Sequence, residues 1–168
     1  MTLKKPLKNP LLWGIVAALI VLILDQVSKW LILHKMGPSA FPVKVLPIFD
    51  LVLVFNRGIS FGLFTQNAQT GVLMLTLMTF AIIIVLLVWL WRLTVVYMAV
   101  AIGLIIGGAF GNMLDRIWWG AVVDFLHFHW QSYAFPAFNV ADTFITIGAG
   151  LIVLDGLFIS KEKPYDTQ

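Results

Sequence analysis

Four apolar runs, each near the roughly 20 residues that a helix needs to cross a bilayer, constrain this chain more than any other feature. They read as roughly Leu12 to Leu33, Gly71 to Trp91, Val95 to Leu114 and Val140 to Ile159. In hydrocarbon every backbone N–H and C=O must find a partner inside the protein, so runs of this length are helices. With 168 residues that are 61% hydrophobic, most of the surface has to face lipid. The expected fold is an all-α integral membrane protein forming one membrane domain over residues 1–168. It has four transmembrane helices, a small outer β-sheet platform over 35–70 and an outer loop, 115–139, between helices three and four.

The first run follows Lys4, Lys5 and Lys8 and could pass for a secretory signal. It is too long, however, and runs through Asp25 and Lys29 without a small-residue cleavage site. The net charge of +3 is spread over termini and loops, with no basic stripe to follow phosphates, so nucleic acid is not an expected partner. The absence of cysteine excludes disulfides, thiol nucleophiles and thiolate metal sites. Membrane lipids are the expected surroundings, and no obligate protein partner is implied.

Orientation follows from the cations. Lys4, Lys5, Lys8, Arg92, Lys161 and Lys163 fall on one side, and Lys35, Lys44, Arg57 and Arg116 on the other. The positive-inside rule then puts both termini in the cytoplasm. Arg92 to Thr94 leaves so short a link that helices two and three must form an antiparallel hairpin, with both long loops outside. In the first loop, Val43 to Leu46 and Phe49 to Phe55 are short β-branched and aromatic runs separated by Pro47, and a turn at Asn56-Arg57-Gly58 precedes Ile59 to Phe64. They form either a platform for an extended peptide or a cap over the bundle. His127 and His129 alternate around Phe128 as in a strand beside the membrane. Trp118, Trp119, Trp130, Tyr133, Phe135 and Phe138 suit an interfacial belt, or a mobile flap over a site.

The polar residues carry the chemistry. At 1.5 Å per residue, Asp25 lies roughly 20 Å and Asn112 roughly 25 Å along their helices, both towards the outer surface. Asp115 and Arg116 follow Asn112, and Asp142 opens the last span from outside, so five polar or charged groups converge on one level. One ionised group at the bilayer centre costs about 2.5–3.5 kcal/mol even on a lenient scale, so such a gathering needs a reason. Asp25 and Lys29, one helical turn apart, read as an intrahelical ion pair. Asn139 and Asp142 have the spacing of an N-cap and its N3 acid. Asp124 has no structural excuse between Val122, Val123, Phe125 and Leu126. Gly103, Gly107 and Gly111 form a stripe along which a neighbouring helix can approach closely. There is no HExxH element for a metal and no GxSxG element around any serine.

The motifs DQVSK (Asp25 to Lys29), NRGISFG (Asn56 to Gly62), GGAFGNMLDR (Gly107 to Arg116), VVDF (Val122 to Phe125) and FNVAD (Phe138 to Asp142) resemble those of the lipoprotein signal peptidases, the bacterial signal peptidase II family. Their order and spacing span nearly the whole chain. The resemblance implies an aspartic endopeptidase of the bacterial inner membrane that removes signal peptides from prolipoproteins, cleaving just before a cysteine carrying a diacylglyceryl group. It implies Asp124 and Asp142 as the catalytic pair. Asn56, Asn112, Arg116 and Asn139 would then position substrate or pair, with Asp25, Lys29 and Asp115 in support. The expected chemistry needs no cofactor and no metal, because two close carboxylates share a proton and act as base and acid. The rival reading is a small proton-coupled transporter, which also uses membrane acids but places them near the midplane.

Overall fold

The computed structural model describes residues 9–35, 38–58 and 68–159. Lys4, Lys5, Lys8, Lys161 and Lys163 of the orientation argument, and Ile59 to Phe64 after the first-loop turn, lie outside the described residues. Four helices long and apolar enough to cross a membrane are present: α1 (Pro10–Lys35), α2 (Ala68–Arg92), α3 (Val96–Trp119) and α4 (Val140–Leu154). The last continues as a π-helical stretch through Asp155–Ile159.

Helix α3 is the centre of the bundle, buried along its length from Met98 to Asp115, while the other three expose most of their side chains to the surroundings. The reason lies in residue size. On α1 the buried positions are Gly14, Ala17, Val21, Asp25, Lys29 and Ile32, one stripe at three- and four-residue spacing. Opposite it run Gly103, Gly107 and Gly111. A Cβ at Gly103 would meet the carbonyl of Gly14, one at Gly107 the carbonyl of Ala18, and one at Gly111 the carboxylate of Asp25. Lipid tails are as apolar as leucine, so close backbone approach, not hydrophobicity, holds these helices together. On the other side Gly108 abuts Ala141 and Ile145 of α4. Helix α2 packs its Ile83 and Leu90 against Ala99, Ile102, Ile106 and Met113 of α3, in the expected hairpin.

The stripe predicts a sharp contrast. Gly107→Val forces α1 away from α3, and the protein loses most of its thermal stability in detergent. Gly150→Ala, where an added methyl meets nothing within 4 Å, changes little. Equal melting temperatures for the two variants would show that the glycine face does not set the helix spacing.

Outside the bundle lies an antiparallel four-stranded sheet in the order β1-β2-β3-β4, built from β1 (Val43–Leu46), β2 (Phe49–Asn56), β3 (Val122–Trp130) and β4 (Tyr133–Ala134). The first two strands are where the sequence places them. The segment 115–139 is not a plain loop. Helix α3 runs beyond Leu114 to Trp119, and β3 and β4 supply half of the sheet. Gly120 makes the junction abrupt. Its φ of +66° suits a residue without a Cβ, and its N–H donates to the Arg116 carbonyl at 3.1 Å, closing the helix one residue before strand geometry begins. The strand then starts buried at Val122 to Phe125 against the bundle and runs out to exposed Trp130.

Candidate active site

Asp124 sits in the buried half of β3 and Asp142 in the first turn of α4. One residue, Asn139, holds both. Its Nδ2 donates to Asp124 Oδ1 at 2.8 Å, and its backbone N–H donates to Asp142 Oδ2 at 3.2 Å. Asn139 Oδ1 in turn accepts from the backbone N–H of Asp142 at 2.9 Å. This is a complete capping box, as the Asn139/Asp142 spacing predicts. The cap serves the site as well as the helix, because its amide reaches across to β3.

The other oxygens are also occupied. Asn56, at the end of β2, pairs with Val122 and lies diagonal to Asp124 on the neighbouring strand. Its Nδ2 donates to Asp124 Oδ2 at 2.9 Å. Asn56 Oδ1 accepts from the Gly58 N–H at 2.8 Å in a tight turn that Gly58 allows with φ +72°. Asn112 of α3 donates through Nδ2 to Asp142 Oδ1 at 2.8 Å, and its Oδ1 accepts from Asn139 Nδ2 at 3.1 Å. Burial pushes the Asp124 carboxyl up to about 6, and the nearby Asp142 charge adds to this, while the Asn56 and Asn139 hydrogen bonds draw it back.

Beneath the pair lies an ion cluster with almost no exposure. Lys29 Nζ is 2.7 Å from Asp25 Oδ2 and 2.7 Å from Asp115 Oδ2, and it donates to Asn112 Oδ1 at 3.0 Å. Asp25 Oδ1 accepts the Ala141 N–H at 2.9 Å, and Asp115 Oδ2 accepts the Val123 N–H at 3.1 Å. The two acids thus tie α1 to α4 and α3 to β3. The intrahelical Asp25–Lys29 pair is present, but it is half of a triad that spans two helices. Gln26, which sequence reasoning passed over, donates to Asp25, to Asp115 and to the Gly111 carbonyl at 3.1–3.2 Å. Its signal was available: a polar side chain inside an apolar span, next to a buried acid.

Arg116 stands apart from this mesh. Its Nη1 donates to the Asn112 carbonyl at 3.2 Å, while its Nε is buried without a partner. The side chain lines a groove of about 430 Å³ with Arg57, Gln69, Val72, Thr76 and Trp119, open between the N-terminal end of α2 and the C-terminal end of α3. All nine residues singled out from the sequence therefore belong to one neighbourhood, Arg116 through its bond to Asn112. His127 and His129 lie on β3, farther out. His129 Nε2 is 3.1 Å from Asp50 Oδ2, and among the described residues no group of three such side chains is placed to hold a metal. Trp118, Trp119, Trp130, Tyr133 and Phe135 are exposed around the sheet and helix ends.

Two aspartates brought together by one asparagine, at the end of a four-span bundle, define a class: the membrane-embedded aspartic peptidases. The family described as signal peptidase (SPase) II matches residues 17–158. The chain is 42% identical over 155 residues to the lipoprotein signal peptidase of Beijerinckia indica subsp. indica, covering 92% of each chain. It is 43% identical over 149 residues to that of Aeromonas hydrophila subsp. hydrophila, covering 87% of this chain and 89% of the relative. A solved structure of a bacterial membrane enzyme, obtained by the in meso method at 2.3 Å resolution, superposes with a TM-score of 0.77 at 31% identity. That alignment covers 92% of this chain and 93% of the other. The chain belongs to the signal peptidase II family.

Proposed function

We propose that Asp124 and Asp142 are the catalytic pair with which this chain removes signal peptides from prolipoproteins, cutting on the N-terminal side of a diacylglyceryl-modified cysteine. The observation that carries this reading is the bridge through Asn139, which joins a strand carboxylate to a helix-cap carboxylate where the bundle meets the sheet. One carboxylate, ionised, takes a proton from water as the water attacks the scissile carbonyl. The other, protonated, donates a hydrogen bond to the oxygen on which charge develops. Collapse of the tetrahedral intermediate returns a proton to the leaving amine. Asn56, Asn112 and Asn139 orient the pair, Asp25, Lys29 and Asp115 hold the scaffold under it, and Arg116 faces substrate.

The acyl chains of the substrate stay in lipid while its peptide lies across the pair. The groove beside Arg116 opens between two membrane helices, which suits a substrate arriving from the bilayer. Orientation follows from the cations: both termini in the cytoplasm of a bacterial inner membrane and the pair near its outer face, with Arg92 at the inner turn. A transporter is disfavoured because the acids gather at one end of the spans rather than at their middle.

The test is cleavage in detergent of matched lipidated and unlipidated prolipoprotein. Turnover of the lipidated form alone is expected, and equal turnover of both would remove the lipid from the recognition. Arg116→Lys belongs in the same assay. Its guanidinium offers five donors in a rigid fork, and the unpartnered Nε is poised for a carbonyl of the substrate. The variant is expected to lose about tenfold or more in kcat/KM without losing thermal stability, roughly the 1.5–3 kcal/mol of a charge-assisted hydrogen bond. Arg57→Lys is expected to be milder. Equal activities would make Arg116 a boundary residue of α3.

A further inference from the structure

The three asparagines of the site are polarised from outside it. A backbone N–H or an ammonium only donates, so whatever amide atom faces it must be the oxygen. Gly58 N–H pins the oxygen of Asn56, Asp142 N–H pins that of Asn139, and Lys29 Nζ, joined by Asn139 Nδ2, pins that of Asn112. Each amide then has only its N–H₂ end left for a carboxylate. Two of these anchors are backbone groups set by a turn and a helix cap. The third is a side chain, buried in α1 and out of contact with either member of the pair.

We propose that Lys29 is a positioning residue for the reaction: through Asn112 it fixes an N–H donor on Asp142, making Asp142 the ionised base and leaving the shared proton to Asp124. This deepens the proposed function and rests on it. The relay has two links, 3.0 Å from Lys29 Nζ to Asn112 Oδ1 and 2.8 Å from Asn112 Nδ2 to Asp142 Oδ1. With an acceptor in place of that donor, Asp142 would face a lone pair instead of an N–H.

One further feature separates the acids in the same sense. Asp142 occupies the first turn of α4, where the helix dipole favours an anion, whereas Asp124 lies buried in a strand. Arg116 is near enough for the charges of Asp142, Asp115 and Asp124 all to act on it. The charged groups facing the pair are therefore Asp25 and Lys29 on α1 and Asp115 and Arg116 on α3. Of these, Lys29 is the one that donates to the side-chain amide touching Asp142, at an oxygen it shares with the neutral Asn139 Nδ2.

The experiment is the pH profile of kcat for lipidated prolipoprotein in detergent. The variants are Asp25→Asn, the double variant Asp25→Asn/Lys29→Met, and Asn112→Ala. The double variant leaves the net charge of the cluster unchanged, so a shift cannot come from bulk charge. Its acid limb is expected to move up by about one pH unit and its kcat to fall at least tenfold, with KM little changed, because the groove is untouched. Asp25→Asn alone keeps its limb where the wild type has it. A folded double variant with a wild-type limb overturns the relay. If the double variant does not fold, Asn112→Ala decides, since it removes the donor to Asp142 while leaving the Lys29 ion pairs to Asp25 and Asp115 in place. A limb moved upward supports the relay, and an unmoved limb overturns it. Full activity in Asp142→Asn would instead sink the assignment of the pair itself.

Discussion

Asp124→Asn and Asp142→Asn are each expected to reduce cleavage of lipidated prolipoprotein by about a thousandfold or more, because each would remove one half of the proposed base-and-acid pair. Their effects on stability part company. Asp124 is 1% exposed and its carboxyl is raised to about 6, so the folded protein binds a proton more tightly than the unfolded chain does. The sign follows from linkage: this group lowers stability as pH rises from roughly 4 towards 6, and its cost is constant above that. Giving up that proton in the folded protein costs on the order of 3 kcal/mol. Asparagine removes that cost but turns its own N–H₂ towards a neighbouring amide donor, a loss of about 1 kcal/mol. Asp124→Asn should therefore melt no lower than wild type at pH 7.5. Asp142→Asn should melt slightly lower, since it weakens a charged cap contact worth about 0.3–1 kcal/mol at a helix N-terminus. Melting curves and initial rates on the same detergent preparations check both halves. Near-normal turnover by either variant ends the dyad assignment.

Lys29→Met is expected to have the largest effect on stability, about 3–5 kcal/mol, because it strands Asp25 and Asp115 as buried carboxylates without their shared cation. Against a typical total of about 5–15 kcal/mol that is enough to cut the folded yield sharply. Adding Asp25→Asn should recover part of the loss, since it removes one of the two stranded charges. The remaining acid, Asp115, still accepts from the Val123 N–H and from Gln26. Thermal unfolding of the single and double variants in one detergent provides the comparison. A single variant as stable as wild type would mean that the cluster is not held by its charge.

Parts of this architecture were legible in the residues alone. The spans follow from apolar length, and a close helix approach to α3 follows from Gly103, Gly107 and Gly111, whose four-residue spacing can only present one face, although which helix makes it does not. The strands β1 and β2 follow from their β-branched and aromatic runs, and the Asn139–Asp142 cap from its spacing. The end of α3 was not legible from hydropathy, because Asn112, Asp115 and Arg116 look like a helix leaving lipid. They are instead turned towards other protein groups, and the helix continues to Trp119. The better signal was Gly120, a residue able to take positive φ just after the last helical turn. The strand read around Phe128 is the outward part of β3, but its buried half was missed for a related reason. Val122 to Leu126 is a near-continuous apolar run broken by Asp124, and without knowledge of what covers it such a run has no visible strand period.

Sequence by itself therefore determined the class of the chain, the number of spans, and which residue types had to be reconciled with hydrocarbon. It did so because the cost of burying polar atoms in lipid acts on each segment separately, whatever its neighbours are. Only the tertiary structure decided the partners: that Lys29 serves Asp115 and Asn112 as well as Asp25, that Gln26 joins them, and that the α4 cap also reaches the strand acid. The direction of each amide was decided there too. An asparagine carries a donor and an acceptor at opposite ends of one group, and which end faces a carboxylate depends on what stands behind it, here an ammonium brought across from a helix 83 residues away in the chain.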